Sequence, residues 1–338
     1  MATTDAMRVR AEACHQGMVW VPGGDFKMGD ERFYAEERPV RRVTVTGFWI
    51  DRSPVTVADF ARFVEATGYV TLAERRRDEC GPHNGRPSPA LGSLVFEKTD
   101  GRVDLADARN WWRSSPDACW WRPRGPHDDL GDRDRHPVVH VAHDDALAYA
   151  RWAQKDLPTE AEWEFAARGG LDGAAFAWGH RMAPRGAMLA NFWQGEFPWR
   201  NLCTDGFEGT SPVGSFPANG YGLHDMAGNV WEWTSDAGDL ASDLDRPFGA
   251  APDPAVLRRA QTLNGEPTSD WLRYTIKGGS HLSATNYSLR FRPAARQGRA
   301  HDASSGDLGF RCVARRCEDV CEYEDSSRSA LPDQNGTD

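Results

Sequence analysis

From residue 171 to about 315 the chain carries almost no helical periodicity. Gly, Asn, Pro and Trp alternate there with short runs of β-forming residues. A stretch of that length without a 3.6-residue repeat excludes a helical bundle and a regular βαβ array. The 33 Gly and 21 Pro call for many turns, and the 14 Trp and 15 Phe supply a core to so loop-rich a chain. Each buried aromatic ring removes a large apolar area from water, so few are needed.

The regular elements are predicted ahead of residue 171. Met18–Gly24 and Phe26–Gly29 read as short strands, followed by Arg42–Thr46 and Phe48–Ile50. Pro54-Val-Thr56 opens a helix capped by Thr56, with Asp59 in its first turn, Phe60, Phe63 and Val64 on one face, and Gly68 ending it. Asp144 and Asp145 begin a second helix carrying Ala146, Ala150 and Trp152. Thr159 and Glu162 form the capping box of a third, with Trp163 and Ala166 buried and Gly169-Gly170 as its stop. His136-Pro-Val-Val-His140 reads as strand-like, with His140 opposite His143. Residues 75–135 are polar, Pro-rich and too long for an idle connection. With Trp111, Trp112, Trp120 and Trp121 they are expected to line a groove, the equal alternative being that these rings only pin a long loop. No linker splits the chain, so it divides into a leader over 1–16, one domain over 17–316 and a disordered tail over 317–338.

The formal charge is −10, which disfavours a nucleic-acid footprint. No run is apolar and long enough to span a bilayer, and no apolar h-region follows the first charges. Seven cysteines without a signal fit reduced thiols and a cytoplasmic protein. Cys312, Cys317 and Cys321 lack the partners of a zinc site, and Glu160 and Glu162 are explained by capping and surface charge. Arg290, Arg292 and Arg296 could grip a carboxylate or phosphate, but pairing with buried acids is the simpler role.

Three segments then stand out. One is Ala190-Asn-Phe-Trp-Gln-Gly-Glu-Phe-Pro198 with Asp205-Gly-Phe207, and the next is Asn219-Gly-Tyr-Gly-Leu223 with Asp225-Met-Ala-Gly-Asn-Val-Trp-Glu-Trp233. Both are oxygen-rich turns of a kind that suits Ca²⁺, which takes six to eight oxygens, or that simply closes Asx-turns. The third runs from Lys277 to Cys312, with Gly278-Gly279-Ser280, Tyr287, Arg290, Arg292, Ala294-Ala295-Arg296 and Leu308-Gly309-Phe310-Arg311-Cys312.

Together these segments resemble the formylglycine-generating enzymes, the sulfatase-modifying factors, over roughly Met18–Ala314. The resemblance implies an α+β chain of low regular structure in the C-type-lectin-like sulfatase-modifying-factor fold. It implies calcium at Asn191 and Asp205 with the carbonyls of Phe192 and Phe207, and at Asp225 and Glu232 with the carbonyls of Gly228 and Val230. It places Trp231, Ser280, Tyr287 and Asp307 at the substrate end. Family members oxidise the cysteine of a sulfatase Cys-x-Pro-x-Arg segment to formylglycine with dioxygen and copper, held as Cu(I) between two thiolates. Here Ser283 and Ser288 stand at the two catalytic thiol positions. A hydroxyl is a hard oxygen that keeps its proton near neutral pH, whereas Cu(I) is soft. Copper therefore loses its seat.

Other departures are Asp307 in place of a substrate-positioning Asn, His143 in place of Trp, and Ala150, Ala167 and Pro293 at family disulfide positions. The expected function is a non-catalytic homologue that binds a Cys-containing peptide or an unfolded sulfatase segment. The alternative is a repurposed metal-dependent oxidase or oxygenase acting on another peptide or small molecule, its metal on His281 with His143 or His301. A Cys-to-Ser variant of an active enzyme has the same sequence signature.

Overall fold

The computed structural model describes residues 15–75, 92–128, 131–237 and 273–315. The leader, the tail, Cys317 and Cys321 lie outside these residues, apart from the last two of the leader. The strands are short, as the turn density demands: β1 Met18–Val21, β2 Gly24–Met28, β3 Arg41–Val45, β4 Phe48–Asp51, β5 Ser93–Phe96 and β6 Trp112–Ser115 precede the second helix. β7 Gly195–Glu196, β8 Arg200–Asn201, β9 Trp231–Ala237, β10 Arg273–Lys277, β11 Arg296–Ala300, β12 Leu308–Gly309 and β13 Val313–Ala314 follow the third. Among the described residues no helix is long and apolar enough to cross a membrane.

The three α-helices of the described residues lie where their signals place them. α1 spans Val57–Thr67, with a reciprocal Thr56–Asp59 capping box and Gly68 in the left-handed region. α2 spans His143–Trp152; Asp145 caps it from within by accepting the Ala142 N–H at 2.8 Å. α3 spans Glu160–Arg168 behind the Thr159–Glu162 box and ends at left-handed Gly169. His136–His140 is not a strand. Only Pro137 makes an isolated bridge, to Thr56, and His140 turns the chain at φ 60°. The strand expectation fails because His140 is held by tertiary partners that a local pattern does not reveal.

Two sheets carry the architecture. β1-β4-β13 brings Met18–Val21 and Val313–Ala314 onto the two edges of β4, and β11-β10-β9-β12 builds the platform of the site. β9 pairs antiparallel with β10 and parallel with β12, in the register Leu308↔Trp231 and Gly309↔Glu232. That register sets Asp307 beside Trp231, whose N–H donates to the Asp307 carbonyl at 2.8 Å. One aromatic core lies between α1, α2 and this platform, around Phe60, Phe63, Tyr149, Trp233 and Phe310. A second lies under α3, around Phe48, Ile50, Trp163 and Phe165.

The arginines and glutamates are built into the interior. Glu160 and Glu162 are buried, not surface charges as the sequence led one to expect. Glu160 lies 2.9 Å from Arg296 and 3.4 Å from fully buried Lys277, while Glu162 receives Arg315 at 2.8 Å. Lys277 also meets Glu164 at 2.9 Å, and Glu164 meets Arg168 at 2.6 Å. Arg290 pairs with Glu36, and Arg292 pairs with Glu37 in a bidentate fork. The structural role expected for these arginines is the observed one, although 290–292 form no strand. Burying such charges is tolerated only because each finds its counter-ion and hydrogen bonds.

Candidate functional site

β10 delivers the chain to the site. After Lys277 the backbone turns at Gly278 and Gly279, both at positive φ. A Cβ on Gly279 would lie 2.7 Å from the Phe291 nitrogen, so the close return of 290–291 requires glycine. The turn that follows is tied by its own side chains. The Ser280 N–H donates to Ser283 Oγ at 3.1 Å, the Ser283 N–H donates to the Ser280 carbonyl at 2.9 Å, and the Leu282 N–H donates to Ser280 Oγ at 3.2 Å. Ser280 Oγ donates to Asp307 Oδ2 at 2.9 Å, and Ser305 Oγ donates to Asp307 Oδ1 at 2.7 Å. Ser280, Ser283, Asp307 and Trp231 are all buried. Three of the four expected substrate-end residues thus meet through direct bonds.

Tyr287 lies to one side of that network. Its ring stacks on Phe197 at 4.6 Å and meets Trp111 edge-on at 5.3 Å, in a cluster with Trp193, Leu282 and Ala284. Ser288 follows at the end of this turn, its N–H donating to the Ala284 carbonyl at 2.7 Å. Ser283 is nearly closed to solvent and its Oγ already accepts a backbone N–H. Two hydroxyls so arranged do not fit Cu(I), which seeks soft thiolate sulfur.

The described histidines lie on separate partners. Among the described residues no three of His, Cys, Asp and Glu are grouped to hold a metal ion. His281 Nδ1 contacts the Asn229 carbonyl at 2.9 Å, and burial lowers its pKa, so the ring is neutral. His143 stacks on Tyr274 at 3.5 Å with Nε2 on the Thr234 carbonyl. His301 faces Asp144 at 3.6 Å.

The two oxygen-rich turns abut the site. The Asn229 N–H donates to the Asn191 carbonyl at 2.8 Å, the Asn229 carbonyl accepts His281 N–H at 2.9 Å, and the Trp193 N–H donates to the Ser283 carbonyl at 2.9 Å. A Cβ on Gly228, at φ 73°, would lie 2.1 Å from the Asn191 carbonyl oxygen, so only glycine lets the turns touch.

In the first turn the Phe192 carbonyl and Asp205 Oδ2 converge on one point, where Gln194 Nε2 donates to both; its distance to Oδ2 is 2.7 Å. Asp205 Oδ1 accepts the Phe207 N–H at 3.0 Å, and Asn191 uses its amide nitrogen on Gly209 at 2.9 Å. In the second turn Asp225 and Glu232 are both buried. Arg311 forks onto Glu232 at 2.6 and 2.8 Å, and Trp163 Nε1 adds a bond at 2.7 Å. Among the described residues Asp225 receives only the Gly214 N–H, at 2.8 Å, and burial raises its pKa, with Glu232 adding to the rise. Among the described residues the two buried carboxylates thus share one guanidinium, with His224 adding a weaker favourable charge at Asp225. Converging oxygens in one turn and excess buried charge in the other both fit a hard cation. Gln194 and Arg311 escaped sequence reasoning. Their only signal was position, a Gln between donor residues and an Arg in the closing Gly-Phe-Arg-Cys run.

Beside the site lies a cavity of about 510 Å³, lined by Phe96, Lys98, Trp120, Arg124, Arg133, His136, Trp193, Glu208 and His281 among others. The Trp-rich excursion does line a groove, as expected from its length, through Phe96, Trp120 and Arg124. Trp111 serves the Tyr287 cluster instead, Trp112 packs against that cluster, and Trp121 is exposed. Residues 76–91 of that excursion lie outside those described.

Short twisted strands, three modest helices and a buried Ser–Asp site between oxygen-rich turns define an α+β protein of C-type-lectin-like architecture. Similarity to known proteins narrows this. A family profile described as Sulfatase-modifying factor enzyme 1-like domain matches residues 4–316. The formylglycine-generating enzyme of Mycobacterium tuberculosis is 52% identical over 299 residues, covering 88% of this chain and 97% of that protein. The mouse formylglycine-generating enzyme is 42% identical over 301 residues, covering 88% and 74%. The mouse protein named inactive C-alpha-formylglycine-generating enzyme 2 is 39% identical over 306 residues, covering 88% and 85%. The solved structure of PvdO from Pseudomonas aeruginosa shares the fold at a TM-score of 0.54 and 23% identity, covering 88% of this chain and 93% of that one. The chain belongs to the formylglycine-generating enzyme, or sulfatase-modifying factor, family.

Proposed function

We propose that this chain is a peptide-binding member of the family that does not perform the copper-dependent oxidation. The observation that carries the proposal is chemical: hydroxyls at both 283 and 288, one of them buried and engaged with the Ser280 backbone. A serine hydroxyl neither binds Cu(I) usefully nor exchanges with a substrate thiol. The rest of the site argues for retained binding. Ser280 and Asp307 are locked together, Trp231 is held by the same backbone, and Tyr287 closes one side on an aromatic bed. These residues would orient a cysteine-bearing peptide and exclude water from it.

Calcium completes the proposal as a structural ion. Asn191, Phe192, Asp205 and Phe207 would hold one ion, and Asp225, Gly228, Val230 and Glu232 another. Bound there, calcium neutralises buried carboxylates and fixes the turns that support Ser283 and His281.

The test incubates the protein with a Cys-x-Pro-x-Arg peptide, Cu(I) and oxygen, then reads peptide mass and binding separately. Peptide bound with its cysteine unchanged is the expected result. Conversion of the cysteine to an aldehyde would overturn the proposal, as would no binding at all.

A further inference from the structure

The oxygen-rich turns reach the substrate end through peptide N–H groups, and those groups have a property in common. The Trp193 N–H donates to the Ser283 carbonyl at 2.9 Å, the Asn229 N–H to the Asn191 carbonyl at 2.8 Å, and the Trp231 N–H to the Asp307 carbonyl at 2.8 Å. Each N–H belongs to a peptide unit whose other end is a carbonyl already singled out for calcium: Phe192 for Trp193, Gly228 for Asn229 and Val230 for Trp231.

A peptide unit is planar and rigid, and in the trans form its C=O and N–H point in opposite directions. The cis bonds among the described residues are at Arg38-Pro39 and Phe197-Pro198, so these three units are trans. Turning any of the three carbonyls therefore turns the N–H that grips the neighbouring segment. The residue between the two units of the second turn is itself clamped. Asn229 is fully buried and left-handed, at φ 59°. Its Oδ1 accepts the Ser211 N–H at 3.0 Å and its Nδ2 donates to the Ser211 carbonyl at 3.2 Å, while its own carbonyl accepts the His281 N–H at 2.9 Å. The grip is divided between the turns. The first holds the Ser283 end through Trp193, and the second holds the Asp307 end through Trp231.

We propose that calcium binding and peptide binding are coupled in this protein, with Trp193, Asn229 and Trp231 as positioning residues. With the carbonyls of Phe192, Gly228 and Val230 turned onto the ions, the opposite N–H groups are held on Ser283, Asn191 and Asp307, and the substrate end keeps one shape. The coupling rests on the calcium and peptide-binding readings above and supplies the regulation of that site. It is reciprocal: the peptide tightens calcium by the same factor as calcium tightens the peptide.

The experiment titrates the full chain calorimetrically with a Cys-x-Pro-x-Arg peptide, once loaded with Ca²⁺ and once stripped with chelator, below the melting temperature of the stripped chain. The loaded chain binds about tenfold more tightly, and in the converse titration the peptide raises calcium affinity by the same factor. Amide hydrogen exchange, read residue by residue without peptide, separates this path from general stabilisation. Calcium slows exchange at both Trp193 and Trp231, and Asp205→Ala removes the slowing at Trp193 while leaving it at Trp231. Equal peptide affinity in the two states, with calcium uptake seen in the same samples, would overturn the coupling and leave the peptide reading in place. So would a chain that binds the peptide but takes up no calcium, or calcium-dependent exchange that leaves Trp193 and Trp231 untouched in the parent. Failure of the peptide to bind in either state would overturn the coupling and the peptide reading together.

Discussion

The turn at 280–288 and the turns at 191–207 and 225–232 are neighbours stitched by backbone, yet they differ in what they retain. The oxygen-rich turns keep every hard donor that the resemblance assigns to calcium, and Asp225 leaves buried charge to spare. The serine turn carries hydroxyls at both positions that the resemblance assigns to copper thiols, and it is closely packed: Ser280 meets Asp307, and Tyr287 lies on Phe197. Scaffold chemistry and reaction chemistry are thus separable within a few ångströms. A structural ion depends on oxygens that many side chains and any carbonyl supply. A Cu(I) site depends on two particular sulfurs, which hydroxyls at 283 and 288 do not supply.

The strongest test restores the sulfurs. Ser283→Cys with Ser288→Cys is expected to pass from no Cu(I) uptake to one Cu(I) per chain, measured by competition with a chromophoric Cu(I) chelator. Each single variant should stay close to the parent, because one thiolate does not make the pair. A folded double variant that takes up no Cu(I) would mean that the serine turn has diverged in shape as well as in atoms.

A second test acts on the serine side alone. His140 is fully buried, with Nδ1 on Ser93 Oγ at 2.6 Å and Nε2 on the Pro123 carbonyl at 2.8 Å. Ser304 Oγ joins Ser93 at 2.7 Å, and the His140 N–H donates to the Ser305 carbonyl, so this histidine pins the loop that carries Asp307. Burial lowers its pKa from 6.5 to about 4. The unfolded chain then binds more protons than the folded one between those values. Its contribution is complete above pH 6.5 and is lost as pH falls toward 4, by about 3 kcal/mol across the window. His140→Asn, which tolerates the left-handed backbone, should flatten that part of the curve in urea melts recorded from pH 7 to pH 4. An unchanged slope would remove His140 from the account.

On the calcium side the expected effect is smaller. Chelation should lower the melting temperature by several degrees, since an ion at a hundred times its Kd stabilises by about 2.7 kcal/mol. Adding back Ca²⁺ should restore it, and Cu(I) should not. A melt indifferent to both chelator and calcium would leave the oxygen-rich turns as Asx-turns and nothing more.

How much of this was legible depended on range. The caps at Thr56, Thr159, Gly68 and Gly169 are written within four residues and were readable. Glu160 and Glu162 looked like surface charge because the cations that bury them, Lys277, Arg296 and Arg315, lie more than a hundred residues on. His140 looked like a strand residue because its turn is held by Ser93, Pro123 and Ser305 from three other segments. The site followed the same rule. The family's motifs located Ser280, Ser283 and Asp307, but no local pattern announced that Gln194 would bridge two candidate ligands.

The finest test uses the sign of a slope. Without calcium, burial holds the Asp225 pKa above its ordinary 3.8, so the folded chain binds the proton more readily than the unfolded one. This carboxyl then costs stability as pH rises from 3.8 through its folded pKa, by less than about 1.4 kcal/mol per pH unit. A bound cation favours the ionised form and reverses the sign, so stability should rise with pH over the same range when calcium is present. Asp225→Asn should erase both trends. It should leave the metal-free protein at least as stable as the parent at pH 7, because it removes an uncompensated buried charge, and weaken calcium binding without abolishing it, because an amide oxygen still ligates. The pair of urea melts, with calcium and with chelator, checks this directly. Parallel slopes in the two would show that Asp225 never meets the ion, and the second oxygen-rich turn would then share the serine turn's history of a ligand lost.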